Sequence, residues 1–122
     1  MQYLLLIHTD EQRFASLSDE ERNELFREYG ALTAELRERG AYVGGNQLQP
    51  TSSGATVRVR DGEQIVTDGP FAETKEQLGG FFLIEAESTD EAIAWAAKVP
   101  AARYGSIEVR AVVPVRAEVA AE

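Results

Sequence analysis

The chain has a single histidine, His8, which closes a run of bulky apolar residues, Tyr3 to Ile7. Imidazole is the one side chain whose ordinary pKa suits proton transfer near neutrality. His8 can therefore act as a general acid or base, provided a carboxylate holds its tautomer. Asp68 is the carboxylate we pair with it. It opens Asp68-Gly69-Pro70-Phe71 at the end of a strand pattern, where its side chain can face a cleft. Arg58 and Lys75 are cations that could steer a substrate, with Phe71 and Glu73 beside them on the rim.

Each of these residues also has a purely structural reading. His8 can bond to backbone at a strand end. Asp68 can cap a turn in which Gly69 takes a positive φ, Pro70 fixes the next dihedral and Phe71 plugs into the core. The run Glu73-Thr74-Lys75-Glu76-Gln77 can be a solvated loop. If it coils into a helical turn instead, Glu73 and Glu76 share one face and Lys75 lies on another. Gly79-Gly80 allows close backbone approach by a ligand or a neighbouring strand.

Other chemistries find little support. With no cysteine and one histidine, a metal site would have to be dominated by carboxylates, and no calcium-loop pattern is present. No elbow motif surrounds Ser16, Ser52, Ser53 or Thr67, and no phosphate-cradling glycine loop follows a strand. We expect no cofactor.

The elements that must position these residues are readable. Tyr3 to Ile7 is expected to be a strand. Ser18-Asp19-Glu20-Glu21 reads as a capping box. It opens a helix with Leu25, Tyr29, Leu32 and Leu36 on one stripe, which stops at Gly40. Ala41 to Leu48 is a second strand, in which Gly44-Gly45 marks a bulge or close approach. Pro50 to Gly54 is a flexible break. Residues 55–60 and 63–67 form a hairpin around Asp61-Gly62, with Val57 opposite Val66 and Arg60 opposite Glu63. Gly80 to Glu87 is an aromatic-rich strand. A second capping box, Ser88 to Glu91, opens a helix carrying Ile93, Trp95, Ala96 and Val99 and stopped by Pro100. Ser106 to Val113 is the last strand.

With the hairpin set aside, the order is that of an α+β, ferredoxin-like βαββαβ fold. Tyr3, Leu5 and Ile7 share one face of the first strand, and Leu4, Leu6 and His8 share the other. Both faces are apolar, yet one helical layer covers only one of them. We therefore expect a homodimer with its sheets opposed.

Four stretches carry a family resemblance: "YLLLIH", "GGNQLQP" (44–50), "VTDGPFAETKEQLGGFFLIE" and the closing "EVR". Together they resemble the YCII-related proteins, and within them the subgroup known by its Asp-Gly-Pro-Phe motif as the DGPF domain. The resemblance runs from residue 1 to about 114 and implies a dimeric α+β barrel. It also implies a small-molecule enzyme, with a histidine and an aspartate proposed for the site in some members. DGPF proteins are often encoded beside, or fused to, extracytoplasmic-function sigma factors, which implies a functional link to such a factor.

Composition bounds the rest. The 122 residues make one domain, which we place at 1–114, with 115–122 as a flexible tail. The net charge of −9, from 21 acidic and 12 basic residues, disfavours direct contact with nucleic acid or anionic membranes. The N-terminal apolar run is too short for a signal or a membrane span, so we expect a cytoplasmic protein. Three function classes stay open: a cofactor-independent acid–base enzyme acting on an unknown small molecule in a cleft of the dimer, a non-catalytic ligand-binding or regulatory module, and a structural interaction domain.

Overall fold

The computed structural model describes residues 1–115. In chain order the elements are β1 (Gln2–Thr9), α1 (Glu11–Ala15), α2 (Asp19–Glu38), β2 (Tyr42–Gln47), β3 (Ala55–Arg60), β4 (Glu63–Asp68), β5 (Gln77–Glu85), α3 (Thr89–Ala97) and β6 (Ser106–Ala111). Short 3₁₀ turns occupy Thr51–Ser53 and Pro100–Arg103. Apart from Val115, the expected tail lies outside the described residues.

Four strands form one sheet in the order β2-β5-β1-β6, each pair antiparallel, which is compatible with a ferredoxin-like fold. β1 is central because it is apolar on both faces. Its residues Tyr3, Leu5 and Ile7 are buried beneath the helices together with Phe82 and Ile84 of β5. Leu32 and Leu36 of α2, and Ala92, Trp95 and Ala96 of α3, close this core from above. Each fully buried large side chain, such as Leu5, Leu36 or Ile84, contributes about 1.5–3 kcal/mol.

The other sheet face is open in the single chain. Leu4 and Leu6 on β1 stand opposite Leu83 and Phe81 on β5, and all four are only half-buried. The helix layer thus covers one face of β1, and the second copy expected on the other face is a matter for the oligomeric state.

Helix α2 begins as expected. The Ser18 hydroxyl accepts from the Glu21 amide, and the Glu21 carboxylate accepts from the Ser18 amide. At α3 the box is half made: Ser88 accepts from the Glu91 amide, while Glu91 accepts from the amide of Glu87 rather than that of Ser88. Of the apolar residues expected on α3, Trp95 and Ala96 are buried and Ile93 is half exposed, while Ala92 is buried as well. Val99, expected within the helix, is buried just beyond its end. Residues 50–54, expected as a flexible break, instead hold a 3₁₀ turn.

β3 and β4 pair only with each other, with Val57 opposite Val66 and Arg60 opposite Glu63. Their turn has φ of 51° at Asp61 and 78° at Gly62, the left-handed pair that a two-residue hairpin loop requires. Every residue of β4 is exposed.

Candidate functional site

His8 ends β1 on the open face of the sheet. Its Nε2 lies 3.2 Å from Glu108 Oε1, with 29% of the imidazole and 50% of the carboxylate exposed. Since a carboxylate only accepts, the ring nitrogen facing it must carry the proton. The pairing follows from topology. β6 neighbours β1, His8 stands opposite Ser106, and Glu108 projects from the same face two residues further along.

Asp68 lies elsewhere. It is the last residue of β4, exposed, and paired with Ala55 in the separate hairpin sheet. No hydrogen bond joins it to His8 among the described residues; the carboxylate that meets the histidine is Glu108. Gly69 does take a positive φ, 83°, and its amide and carbonyl bond to Gly54 and Thr56, which anchors the turn to the start of β3. Phe71, expected as a core plug, is 81% exposed. Residues 71–76 are bends rather than a helical turn. The Thr74 hydroxyl donates to the Glu76 carbonyl and the Gln77 amide group donates to the Thr74 carbonyl, local bonds that compete with a helix. Glu73 and Lys75 are exposed there, and Arg58 is half-buried opposite Ile65 on the hairpin.

A cleft opens on the opposite face of the sheet from His8. It measures about 390 Å³ and lies between α1, the first half of α2, and the β2–β5–β1 surface. Phe14, Phe26, Tyr29, Tyr42, Phe82 and Tyr104 border it, with Leu17, Leu25 and Leu48 between them. Phe14 meets Phe26 edge-on at 6.2 Å, and Tyr29 stacks by Phe82 at 6.3 Å.

The origin of the cleft is local. α2 packs tightly on the sheet only through its second half, at Leu32 and Leu36, whereas Leu25 and Tyr29 stand half-buried above the gap. Two glycines keep the floor low. A Cβ on Gly45 would fall 2.8 Å from the Phe81 carbonyl oxygen, and one on Gly80 would fall 2.9 Å from that of Asn46. The close approach expected of both glycine pairs is therefore made between β2 and β5. The bulge expected near Gly44 is present as well, and a second register shift skips Gly79 beside His8.

α1 forms the outer wall, and sequence reasoning assigned nothing to it. Asp10 caps it by accepting from the Gln12 amide. Glu11 fastens it across the cleft mouth: its carboxylate accepts from the amide and the hydroxyl of Thr51, at 2.7 and 3.0 Å. At the other end Arg22 donates to the carbonyls of Phe14 and Ala15. Phe14 could have been found by noting that Leu25 and Phe26 together widen the apolar face of α2 toward a partner.

The charged residues that line the cleft are Asp10, Glu11 and Arg13. The Arg13 guanidinium lies over the Tyr104 ring, 3.8 Å from its centre. Tyr29 keeps its proton: burial, with the Tyr104 phenol adding to it, pushes its pKa up to about 12. Such a phenol is a poor general base at neutrality and a good neutral hydrogen-bonding group. Among the described residues, no cluster of three or more His, Cys, Asp or Glu could hold a metal, and no helix is long and apolar enough to cross a membrane.

Comparison with known proteins places these features in a lineage. The family described as YCII-related domain matches residues 1–116. An uncharacterised protein of Rhizobium meliloti (strain 1021) is 43% identical over 112 residues, covering 90% of each chain.

Proposed function

The chain belongs to the YCII-related family, and within it we propose a protein that binds a small, largely apolar molecule in the cleft between α1, α2 and the sheet. One observation carries this reading. The cleft, at about 390 Å³, falls in the size range of small-molecule sites and is walled by most of the chain's aromatic rings, with polar groups such as Arg13, Asn46 and Gln47 at its border. The Asp68-Gly69-Pro70-Phe71 run supports the DGPF subgroup. The test is a ligand-induced thermal shift across a set of small aromatic and aliphatic compounds, repeated on Ala15→Trp, which fills the cleft from an exposed position on α1. Binders should stabilise the parent chain and lose that effect in the variant. Equal shifts in both proteins would refute the reading.

Acid–base chemistry is the second reading, favoured by the His8–Glu108 pair. The pair lies at the end of the open apolar face of Leu4, Leu6, Phe81 and Leu83. A second copy opposed on that face would take the pair out of bulk water and complete a site between two sheets. This reading replaces Asp68 with Glu108 as the orienting carboxylate. It is tested by the imidazole nitrogen signals, which should show a protonated Nε2 in the parent and a redistributed tautomer in Glu108→Ala. An unchanged tautomer would remove Glu108 from the mechanism.

A further inference from the structure

Resting on the cleft reading, we infer that the preferred occupant is a planar organic anion, an aryl carboxylate, with its ring between the aromatic walls and its anionic group on Arg13.

The walls select a flat apolar body. Phe14 meets Phe26 edge to face, and Tyr29 of α2 lies near-parallel to Phe82 of β5, so the walls are ring surfaces already packed in pairs. A further flat ring would add to such surfaces in the offset-stacked or edge-on arrangements that aromatic groups prefer.

The polar end is chosen by which donors remain unspent. Arg13 borders the cleft, and the Tyr104 ring covers one face of its guanidinium. Stacking leaves the in-plane N–H groups available, and Arg13 makes no salt bridge or side-chain hydrogen bond among the described residues, although the Glu21 carboxylate lies within its electrostatic reach. Arg22, also stacked on an aromatic wall, has committed its N–H groups to the carbonyls of Phe14 and Ala15. Arg103, next to Tyr104 in the chain, is held by Glu28 and by the Pro100 carbonyl.

The two carboxylates at the cleft are engaged. Both Glu11 oxygens hold Thr51, and one Asp10 oxygen holds the Gln12 amide, which leaves a single free oxygen for a cation. A planar guanidinium with an open edge matches a carboxylate in a two-bond fork. The net charge of −9 is screened over about 8 Å at physiological salt, but Asp10 and Glu11 line the same cleft and still oppose an anion, so the preference requires the forked contact with Arg13 to outweigh them.

The experiment compares three isosteric probes, 2-naphthoate, 2-naphthamide and 2-naphthamidine, by titration followed at the backbone amides that border the cleft. The expected result is that naphthoate binds about tenfold more tightly than the amide, charge-assisted bonds being the stronger kind. Arg13→Gln should erase that margin while leaving amide binding intact. Arg13→Lys, which keeps the charge and loses the fork, should keep only part of it. If the amide or the amidine binds the cleft as tightly as naphthoate, the inference is overturned and the cleft reading stands. If saturating amounts of all three leave the cleft amides unmoved, the cleft reading falls and takes the inference with it.

Discussion

Glu11 holds Thr51 with both carboxylate oxygens, one on the amide at 2.7 Å and one on the hydroxyl at 3.0 Å. This contact joins the five-residue α1 to the turn after β2, two segments that share no strand pairing. Charge-assisted bonds of this kind contribute about 1.5–3 kcal/mol at most. Glu11→Ala should cost global stability no more than that, read by urea unfolding. It should raise amide exchange across residues 11–17 selectively, with α2 unaffected. Uniform loss of protection over the whole chain would show that the contact is part of the core rather than a local fastening.

A second prediction follows from Tyr29. Its phenol ionises near 12, against an ordinary value of 10.0, because burial penalises the phenolate. A folded-state value raised above the unfolded one means stability that is fully present below pH 10 and lost as pH climbs through 12. The loss is bounded at about 2–3 kcal/mol, less for the share of the ring that water reaches. Absorbance at 295 nm should show one tyrosine titrating late, and Tyr29→Phe should remove that step. The variant should also lose less stability between pH 10 and 12 than the parent.

The paired glycines give a third. Gly44 has open space where a Cβ would go, whereas Gly45 has a carbonyl oxygen at 2.8 Å. Gly44→Ala should therefore be near neutral, within about 0.5 kcal/mol. Gly45→Ala should cost about 1–3 kcal/mol as β2 is pushed off β5. Equal costs at the two positions, measured by denaturant midpoints, would mean that the close approach between the strands is relaxed in solution.

The open sheet face gives a fourth. If a second copy covers Leu4, Leu6, Phe81 and Leu83, Leu6→Glu should turn a dimer into a folded monomer. Sedimentation velocity and far-ultraviolet circular dichroism together separate this outcome from unfolding. A parent chain that sediments as a monomer at micromolar concentration would end the homodimer proposal.

Much of the fold is legible in the sequence because its signals are local. The Asp61-Gly62 turn sets the hairpin register by itself, and Ser18 with Glu21 sets the start of α2. The candidate site is less legible, for a physical reason. The cleft exists because the first half of α2 stands away from the sheet, and no spacing in Leu25, Tyr29, Leu32 and Leu36 says which end lies closer. α1 is too short to show a period, and its fastening to Thr51 spans forty positions of chain. Nor could the chain order reveal the partner of His8. Glu108 reaches it only because the last strand returns to lie beside the first, whereas Asp68, attractive as a motif, is carried off on a two-stranded arm.

That return of the last strand has a bearing on how the protein is made. Leu5, at the middle of β1, partners Phe82 on one side and Val109 on the other. β1 is thus made well before either neighbour: one edge stays bare until β5 (77–85) has emerged, and the other until β6 (106–111) follows. Closing such long loops is entropically costly and slow, and an apolar strand left unpaired meanwhile is a site for aggregation. Synthesis halted before residue 106 would leave β1 with one edge open, so faster or slower translation of the final third should change the soluble yield more than the same change made early.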